Sequence, residues 1–114
     1  MNIQTHARYK ARSEVLKALG HPTRLFIIDE ISKRERSVLE LTKMVEADIS
    51  TVSKHLSVLK NAGIVRVEKR GTQVFYSLKA PCLVQFFPCI EAVIKANADE
   101  MASCLAQGDR ASNI

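Results

Sequence analysis

The spacing of apolar residues changes at Gly63, and this change constrains the fold more than any other feature of the sequence. Before Gly63, apolar residues recur at spacings of three and four in "TRLFIIDEIS" and "STVSKHLSVLKNA", which is the period of helices that bury one side. After Gly63, "IVRVEK" and "QVFYSL" alternate and are rich in β-branched and aromatic residues, with "RGT" between them. The sequence therefore predicts several helices followed by a β-hairpin with a basic tip.

Boundary residues divide the helical part. Gly20 ends a first helix over residues 7–19, and Pro22 suits the first turn of a second helix that continues through "TRLFIIDEIS". The stretch "KRER" then interrupts the apolar pattern as a solvated break. Two helices are therefore expected before the first strongly polar connector.

Two further helices follow that connector. In "SVLE" the Ser37 hydroxyl and the Glu40 carboxylate fit a capping box, which opens a third helix through Val45. A fourth helix extends over residues 50–62, and Gly63 is well placed to end it in the left-handed conformation. The predicted order is α-α-α-α-β-β and then one more helix, a mainly α fold.

Length and cysteine content limit the class of protein. A chain of 114 residues corresponds to one compact domain, here predicted over residues 1–108, with a disordered tail at 109–114. The apolar runs are shorter than the roughly 20 residues of a membrane helix, and the N-terminus lacks the apolar stretch of a secretory signal. Three cysteines without a C-x-x-C pair form a poor disulfide framework, so reduced thiols in the cytoplasm and no membrane partner are expected.

Positive charge is concentrated in the middle of the chain. The net charge is +5, and residues 54–79 carry six Lys or Arg against one acidic residue, whereas residues 80–114 carry two against four. Such a segment is typical of a phosphate-binding surface, although a solvated basic face would show the same charge. Charge alone leaves both interpretations open.

The fourth helix has two different faces. At about 100° per residue, Val52, Leu56 and Leu59 fall on one side, and small polar side chains with lysine fall on the other. Short hydroxyl side chains let a helix enter a major groove closely, while Lys and Asn reach phosphates and base edges. An ordinary surface helix with a serine-rich outer face is the alternative.

The order of elements favours DNA binding over that alternative. A short helix, a tight turn, a serine-rich helix, a glycine stop and a basic hairpin make up a winged helix-turn-helix. The hairpin would place Lys69, Arg70 and Gln73 along the DNA backbone. The residues of the fourth helix and the hairpin that are predicted to bind DNA on this basis are Ser50, Ser53, Lys54, Ser57, Lys60, Lys69, Arg70 and Gln73.

Three separated motifs resemble the ArsR/SmtB family of bacterial repressors. They are "LKALGHPTRLFII" at 16–28, "STVSKHLSVLKNAGIV" at 50–65 and "GTQVFYSL" at 71–78, and the resemblance covers about residues 12–95. It implies a homodimeric winged-helix repressor that binds an imperfect palindrome in double-stranded DNA and leaves it when an effector binds the dimer. It also implies that the first and last helices form the dimer interface.

The resemblance implies DNA contacts for Ser50, Thr51, Ser53, Lys54 and His55, and His55 has a second interpretation. It falls near 140° on the helical wheel, between the buried and exposed faces, so a hydrogen-bonded boundary histidine is an equal alternative.

The effector sites implied by the resemblance are altered here. Members that bind arsenic or cadmium often carry E-L-C-x-C in the third helix, whereas this chain has "ELTKM", with Thr42 and Met44 at the cysteine positions. Members that bind zinc across the last helices use Asp and His, and residues 79–96 contain neither. The usual arsenic and zinc sites are therefore not expected.

The segment "PCLVQFFPC" and a later cysteine remain as candidates. Cys82, Cys89 and Cys104 are soft ligands, which favour trivalent arsenic or antimony, with cadmium and monovalent copper ranking behind them. In one straight helix, seven residues would hold Cys82 about 10 Å from Cys89. Pro88 predicts a break near Phe87, with a turn at 82–86 and a new helix from Pro88, which could fold Cys82 toward Cys89. Cys104 could join them only from the partner subunit or through a mobile C-terminal segment.

The sequence also has other interpretations than a sensor of arsenic or antimony. Inert packing of the cysteines at a dimer interface is one alternative, and sensing of thiol oxidation or persulfide is another. An enzyme with a cysteine nucleophile would need a nearby base, and the histidines lie far upstream. A winged helix used only for protein contacts is a further class. No cofactor is expected for DNA binding itself.

Overall fold

The computed structural model describes residues 1–106, which form five α-helices, three strands and one 3₁₀ helix. The elements in chain order are α1 Ile3–Leu19, α2 Pro22–Lys33, β1 Arg36–Ser37, α3 Val38–Val45, α4 Ile49–Asn61, β2 Val65–Arg70, β3 Gln73–Leu78, the 3₁₀ helix Pro81–Gln85 and α5 Phe86–Ala106. The winged helix-turn-helix fold predicted from the sequence is confirmed. One two-residue strand, β1, is added to the predicted order.

Helix starts are set by local caps. The Ser37 hydroxyl accepts from the Glu40 amide at 3.1 Å, and the Glu40 carboxylate accepts from the Ser37 amide at 3.3 Å, which confirms the predicted capping box. The first helix begins at Ile3 and not at residue 7, because Asn2 caps it by accepting from the Thr5 amide at 2.8 Å.

The three strands form an antiparallel sheet in the order β1-β3-β2. β2 and β3 with the turn between them, residues 65–78, are called the wing below. Gly71 in that turn has φ 62°, and Gly63 after α4 has φ 75°, both in the left-handed region where glycine is least strained. β1 pairs Arg36 with Tyr76, so the wing is joined to the start of α3.

The core of residues 1–81 is aliphatic. Its largest fully buried side chains come from α2, α3 and α4 and are Ile27, Ile28, Leu41, Val52, Leu56 and Leu59. The burial of three of them on one side of α4 confirms the predicted apolar face. α4 therefore has its position fixed by packing, and its opposite face remains exposed.

The chain divides into two compact units, residues 1–81 and the segment from Cys82 onward. In the second unit, α5 begins at Phe86, so the predicted start at Pro88 was two residues too late. Proline needs no amide donor in the first helical turn, and position 88 lies in that turn. The single domain over 1–108 stays a prediction, and the tail at 109–114 lies outside the described residues.

Within residues 1–106, every helix is too short or too polar to cross a lipid bilayer.

Candidate nucleic-acid interface

The exposed face of α4 carries the predicted DNA-binding side chains. Val52, Leu56 and Leu59 are at most 1% exposed and hold the opposite face in the core. Six of the predicted DNA-binding residues are exposed on this helix, namely Ser50, Thr51, Ser53, Lys54, Ser57 and Lys60. The structure therefore brings six of the predicted residues onto one accessible helix, the recognition helix.

Asp48 caps this helix and was missed by the sequence prediction, which started the helix at Ser50. Its carboxylate accepts from the Thr51 amide at 2.7 Å and from the Ser50 hydroxyl at 3.0 Å. Hydrogen bonds from the Thr51 side chain and amide, and from Ser50, hold the pKa of Asp48 below its ordinary 3.8. Asp48 remains charged and orients the first turn, where a recognition helix addresses base edges.

His55 faces α2 at the border of the exposed face. Its Nδ1 lies 3.3 Å from Nη1 of Arg24, and its ring centroid lies 4.4 Å from that of His21. Burial, and next the neighbouring His21 and Arg24, lower the pKa of His55 below 6.5. This placement matches the boundary interpretation of His55, and its contact with DNA stays a prediction.

Arg24 and His21 link three helices around His55. Arg24 Nε donates to the Ala18 carbonyl at the end of α1 at 2.5 Å, while His21 Nδ1 accepts from the Thr23 amide and caps α2. The C-terminal end of α1, the start of α2 and the middle of α4 are thus held together by polar contacts around one partly buried histidine.

Arg70 is the predicted wing residue that forms ion pairs within residues 1–106. Lys69 and Gln73 are exposed next to the turn. Arg70 instead pairs with Glu35 at 2.5 Å and with Glu68 at 3.6 Å, and its guanidinium carbon lies 4.0 Å from the centroid of the Phe75 ring. The hydrogen bond to Glu35 raises the pKa of Arg70 further. Arg70 therefore has carboxylate partners where phosphate contacts were predicted.

A second set of ion pairs fixes the helix-turn-helix to α2. Glu30, only 9% exposed, accepts from Lys33 at 3.0 Å and from Arg36 at 3.2 Å. Glu40 pairs with Arg34, and this contact, with the Ser37 amide, lowers the pKa of Glu40 below 4.5. These side chains hold β1 and α3 against the end of α2.

The three cysteines are free and exposed in the single chain. Among residues 1–106, no three His, Cys, Asp or Glu side chains lie close enough together to hold a metal ion. One chain therefore does not assemble Cys82, Cys89 and Cys104 into a common site.

Comparison with known proteins decides the family. A model of the bacterial regulatory protein, arsR family, matches residues 21–67. Rv0081 of Mycobacterium tuberculosis, an uncharacterized HTH-type transcriptional regulator, is 32% identical over 81% of this chain and 82% of its own. The chain belongs to the arsR family. The biofilm growth-associated repressor of Agrobacterium fabrum is 31% identical over 87% of both chains.

Solved structures agree with this arsR-family fold. The crystal structure of Rv0081 has a TM-score of 0.71 at 32% identity and covers 82% of this chain and 95% of that one. The solution structure of the homodimeric winged helix-turn-helix domain of Mb0332 from Mycobacterium bovis has a TM-score of 0.74, covering 88% and 93%. At 24% identity the second comparison shows the fold alone. The arsR-family protein is a DNA-binding transcriptional regulator of a repressor family and not an enzyme.

Proposed function

We propose that this arsR-family protein is a homodimeric repressor that binds an imperfect palindromic operator in the cytoplasm and leaves it when trivalent arsenic or antimony binds its cysteines. The exposed polar face of α4 carries the DNA-binding part, because Val52, Leu56 and Leu59 fix the helix from behind. An exposed helix held this rigidly can enter a major groove without a large ordering cost.

Base and phosphate contacts are divided among the exposed residues. Ser50, Ser53 and Lys54 lie in the N-terminal half of α4 and address base edges, while Ser57 and Lys60 lie further along the helix. On the wing, Lys69 and Gln73 contact the backbone, and Arg70 does so in competition with its partner Glu35. The DNA contacts of Thr51 and His55 rest on the resemblance.

Dimerisation is supported by the apolar side chains of α5. In the single chain, Phe86, Ile90, Val93, Ile94, Met101 and Leu105 are all exposed. They recur at helical spacing along one helix, which is typical of a helix that packs against another helix. A second copy of α5 would cover them, and two copies would present two recognition helices to a palindrome.

The effector part of the proposal rests on the thiols. Cys82, Cys89 and Cys104 are exposed, and thiolates without histidine favour soft trivalent arsenic or antimony over zinc, with cadmium and monovalent copper weaker candidates. Because the single chain does not bring them together, the proposed site combines cysteines of both subunits. Binding there would change the distance between the two recognition helices.

Thiol oxidation or persulfide sensing is the second candidate, because the same exposure opens the cysteines to oxidants. In that case two thiols would lose two electrons and two protons to a peroxide and form a disulfide. A protein-interaction module without an effector remains the alternative of another class, and it predicts no preference for any DNA sequence.

The first experiment is an arsenite titration of the reduced protein bound to a duplex recovered by in vitro selection, at one salt concentration. The Cys82→Ser/Cys89→Ser variant is measured beside the parent, with Cys104→Ser as a third arm. Release of the parent alone supports the metalloid switch. The coupling is expected to be about 1–3 kcal/mol and reciprocal, so DNA must weaken arsenite binding by the same factor.

Two outcomes contradict the metalloid switch. Release of the double variant would show that Cys82 and Cys89 are not needed, and no release of the parent would exclude arsenite as the effector. In the second case, release by peroxide or a persulfide donor would favour the redox alternative. Equal affinity for the selected duplex and a scrambled duplex would contradict the proposed function as a sequence-specific repressor.

A further inference from the structure

An apolar groove lies between the starts of α3 and α4 and the wing. It has a volume of about 270 Å³ and is lined by Ser37, Val38, Leu39, Ile49, Thr72, Gln73 and Val74. These residues come from separate elements, so only the folded chain forms the groove. We call it the wing groove.

Ile49 and Leu39 line the wing groove with apolar side chains that are 52% and 54% exposed. Ile49 is the first residue of α4, directly after the cap Asp48 and directly before exposed Ser50. The core does not need it, since Val52 and Leu56 fill the buried side of this half of the helix. An apolar group is thus placed at the end of a recognition helix where base edges are contacted.

We propose that the wing groove receives the C5-methyl group of a thymine in the operator, with Ile49 as the main contact. This inference rests on the proposed function, since it assumes that α4 enters a major groove. The thymine methyl group is the one apolar substituent that the four bases present there, and apolar side chains recognise it by contact. Ile49 would then determine specificity beside the polar Ser50 and Ser53.

The residues on either side of the wing groove indicate that DNA covers it. Ile49 adjoins the exposed polar face of α4 at Ser50, and Gln73, a predicted backbone contact, lines the groove from the wing. DNA that contacts both Ser50 and Gln73 must therefore cover the groove between them. Covering Ile49 and Leu39 with a methyl group removes apolar surface from water, which is favourable.

Uracil substitution tests the methyl contact directly. Deoxyuridine lacks the C5-methyl group of thymidine and keeps its hydrogen-bonding groups, so each thymine of the selected duplex is replaced singly and the affinity measured by fluorescence anisotropy. For the parent we expect one thymine per half-site at which the loss is about fourfold. The Ile49→Ala variant should bind the two duplexes equally at that position.

Two further variants serve as controls for Ile49→Ala. Ile49→Val keeps a branched apolar side chain and should retain most of the discrimination. Val58→Ala truncates another exposed apolar residue of α4, 38% exposed and outside the wing groove, and should retain all of it. An effect of uracil on DNA shape would be the same for all these variants. A difference between Ile49→Ala and the other variants therefore measures the contact between Ile49 and the methyl group.

The outcomes separate this inference from the proposed function. Equal binding of thymine and uracil duplexes by the parent, or unchanged discrimination in folded Ile49→Ala, would overturn the methyl contact while binding to the selected duplex persists. Loss of preference for the selected over a scrambled duplex in the parent would overturn the proposed function, and the inference with it.

Discussion

Nη2 of Arg70 lies 2.5 Å from Oε1 of Glu35, so an arginine at the edge of the wing already has a carboxylate partner. Both side chains are partly exposed, at 44% and 42%, and pairs of this kind contribute little to stability. The contact nevertheless places a negative charge beside the residue that was predicted to meet DNA phosphate. Glu35 therefore competes with the backbone for Arg70.

Replacing Glu35 with Gln should free Arg70 for phosphate. We expect tighter binding to any duplex. The plot of log K against log salt concentration should become steeper by the contribution of about one phosphate contact. The slope is measured by anisotropy at several salt concentrations. In the Arg70→Ala background, Glu35→Gln should leave the slope unchanged, and an unchanged slope in the parent background would contradict the competition.

Lys69 and Lys54 should respond differently to substitution. Lys69→Ala should reduce the slope of log K against log salt concentration by the contribution of about one phosphate contact. It should also weaken binding to all duplexes alike, because a wing lysine contacts phosphate. Lys54→Ala should weaken binding and alter the preferred sequence in a repeated selection, because it lies on the recognition helix. A changed sequence preference in Lys69→Ala would assign base contacts to the wing.

His55 should make the stability depend on pH. Its pKa is lowered in the folded state, mainly by burial, while the unfolded value is about 6.5. The unfolded state therefore binds more protons than the folded state around pH 6. The free energy of unfolding is highest above about pH 7 and falls as the pH decreases through 6.5 and below. Urea unfolding at successive pH values measures this dependence.

The matched variants for that experiment are His55→Gln and His6→Gln. His55→Gln should flatten the dependence between about pH 7 and pH 5, and His6→Gln, which changes an exposed side chain, is the control for the substitution itself. Glu40 and Asp48 have lowered pKa values as well, and their contribution is lost only at more acidic pH, below 4.5 and 3.8. A parent whose stability stays constant from pH 7 to pH 5 would contradict the burial of His55.

Two serines should separate stability from DNA binding. Ser37→Ala removes the cap of α3 and should lower the free energy of unfolding by about 1 kcal/mol. Ser57→Ala, on the exposed face of α4, should leave stability unchanged and weaken operator binding about fivefold through one lost hydrogen bond. Thermal unfolding and anisotropy on the same samples measure both. Equal loss of stability in the two variants would contradict these roles.

Local patterns predicted most of the fold. The capping box of Ser37 and Glu40, the buried side of α4 and the hairpin are confirmed because each depends on residues close together in the sequence. The start of α4 was predicted at about Ser50, one residue after Ile49, because Asp48 and Ser50 are both suitable caps and the sequence does not rank them.

Contacts between distant residues were not predictable from local patterns. Glu35 meets Arg70, and Arg24 meets His55 across 31 positions, only after the helices and sheet have packed. β1 was missed because two residues are too few to show a strand period. The cysteine site stays a prediction because its proposed ligands belong to two chains.

Ser37 is both the last residue of β1 and the N-cap of α3. The same residue therefore ends a strand paired with the wing and begins the helix that leads to α4, so the wing and the helix-turn-helix have few independent degrees of freedom. An effector would gain little by deforming one subunit. We expect regulation to act between the two subunits of the proposed dimer, by changing the distance between their recognition helices.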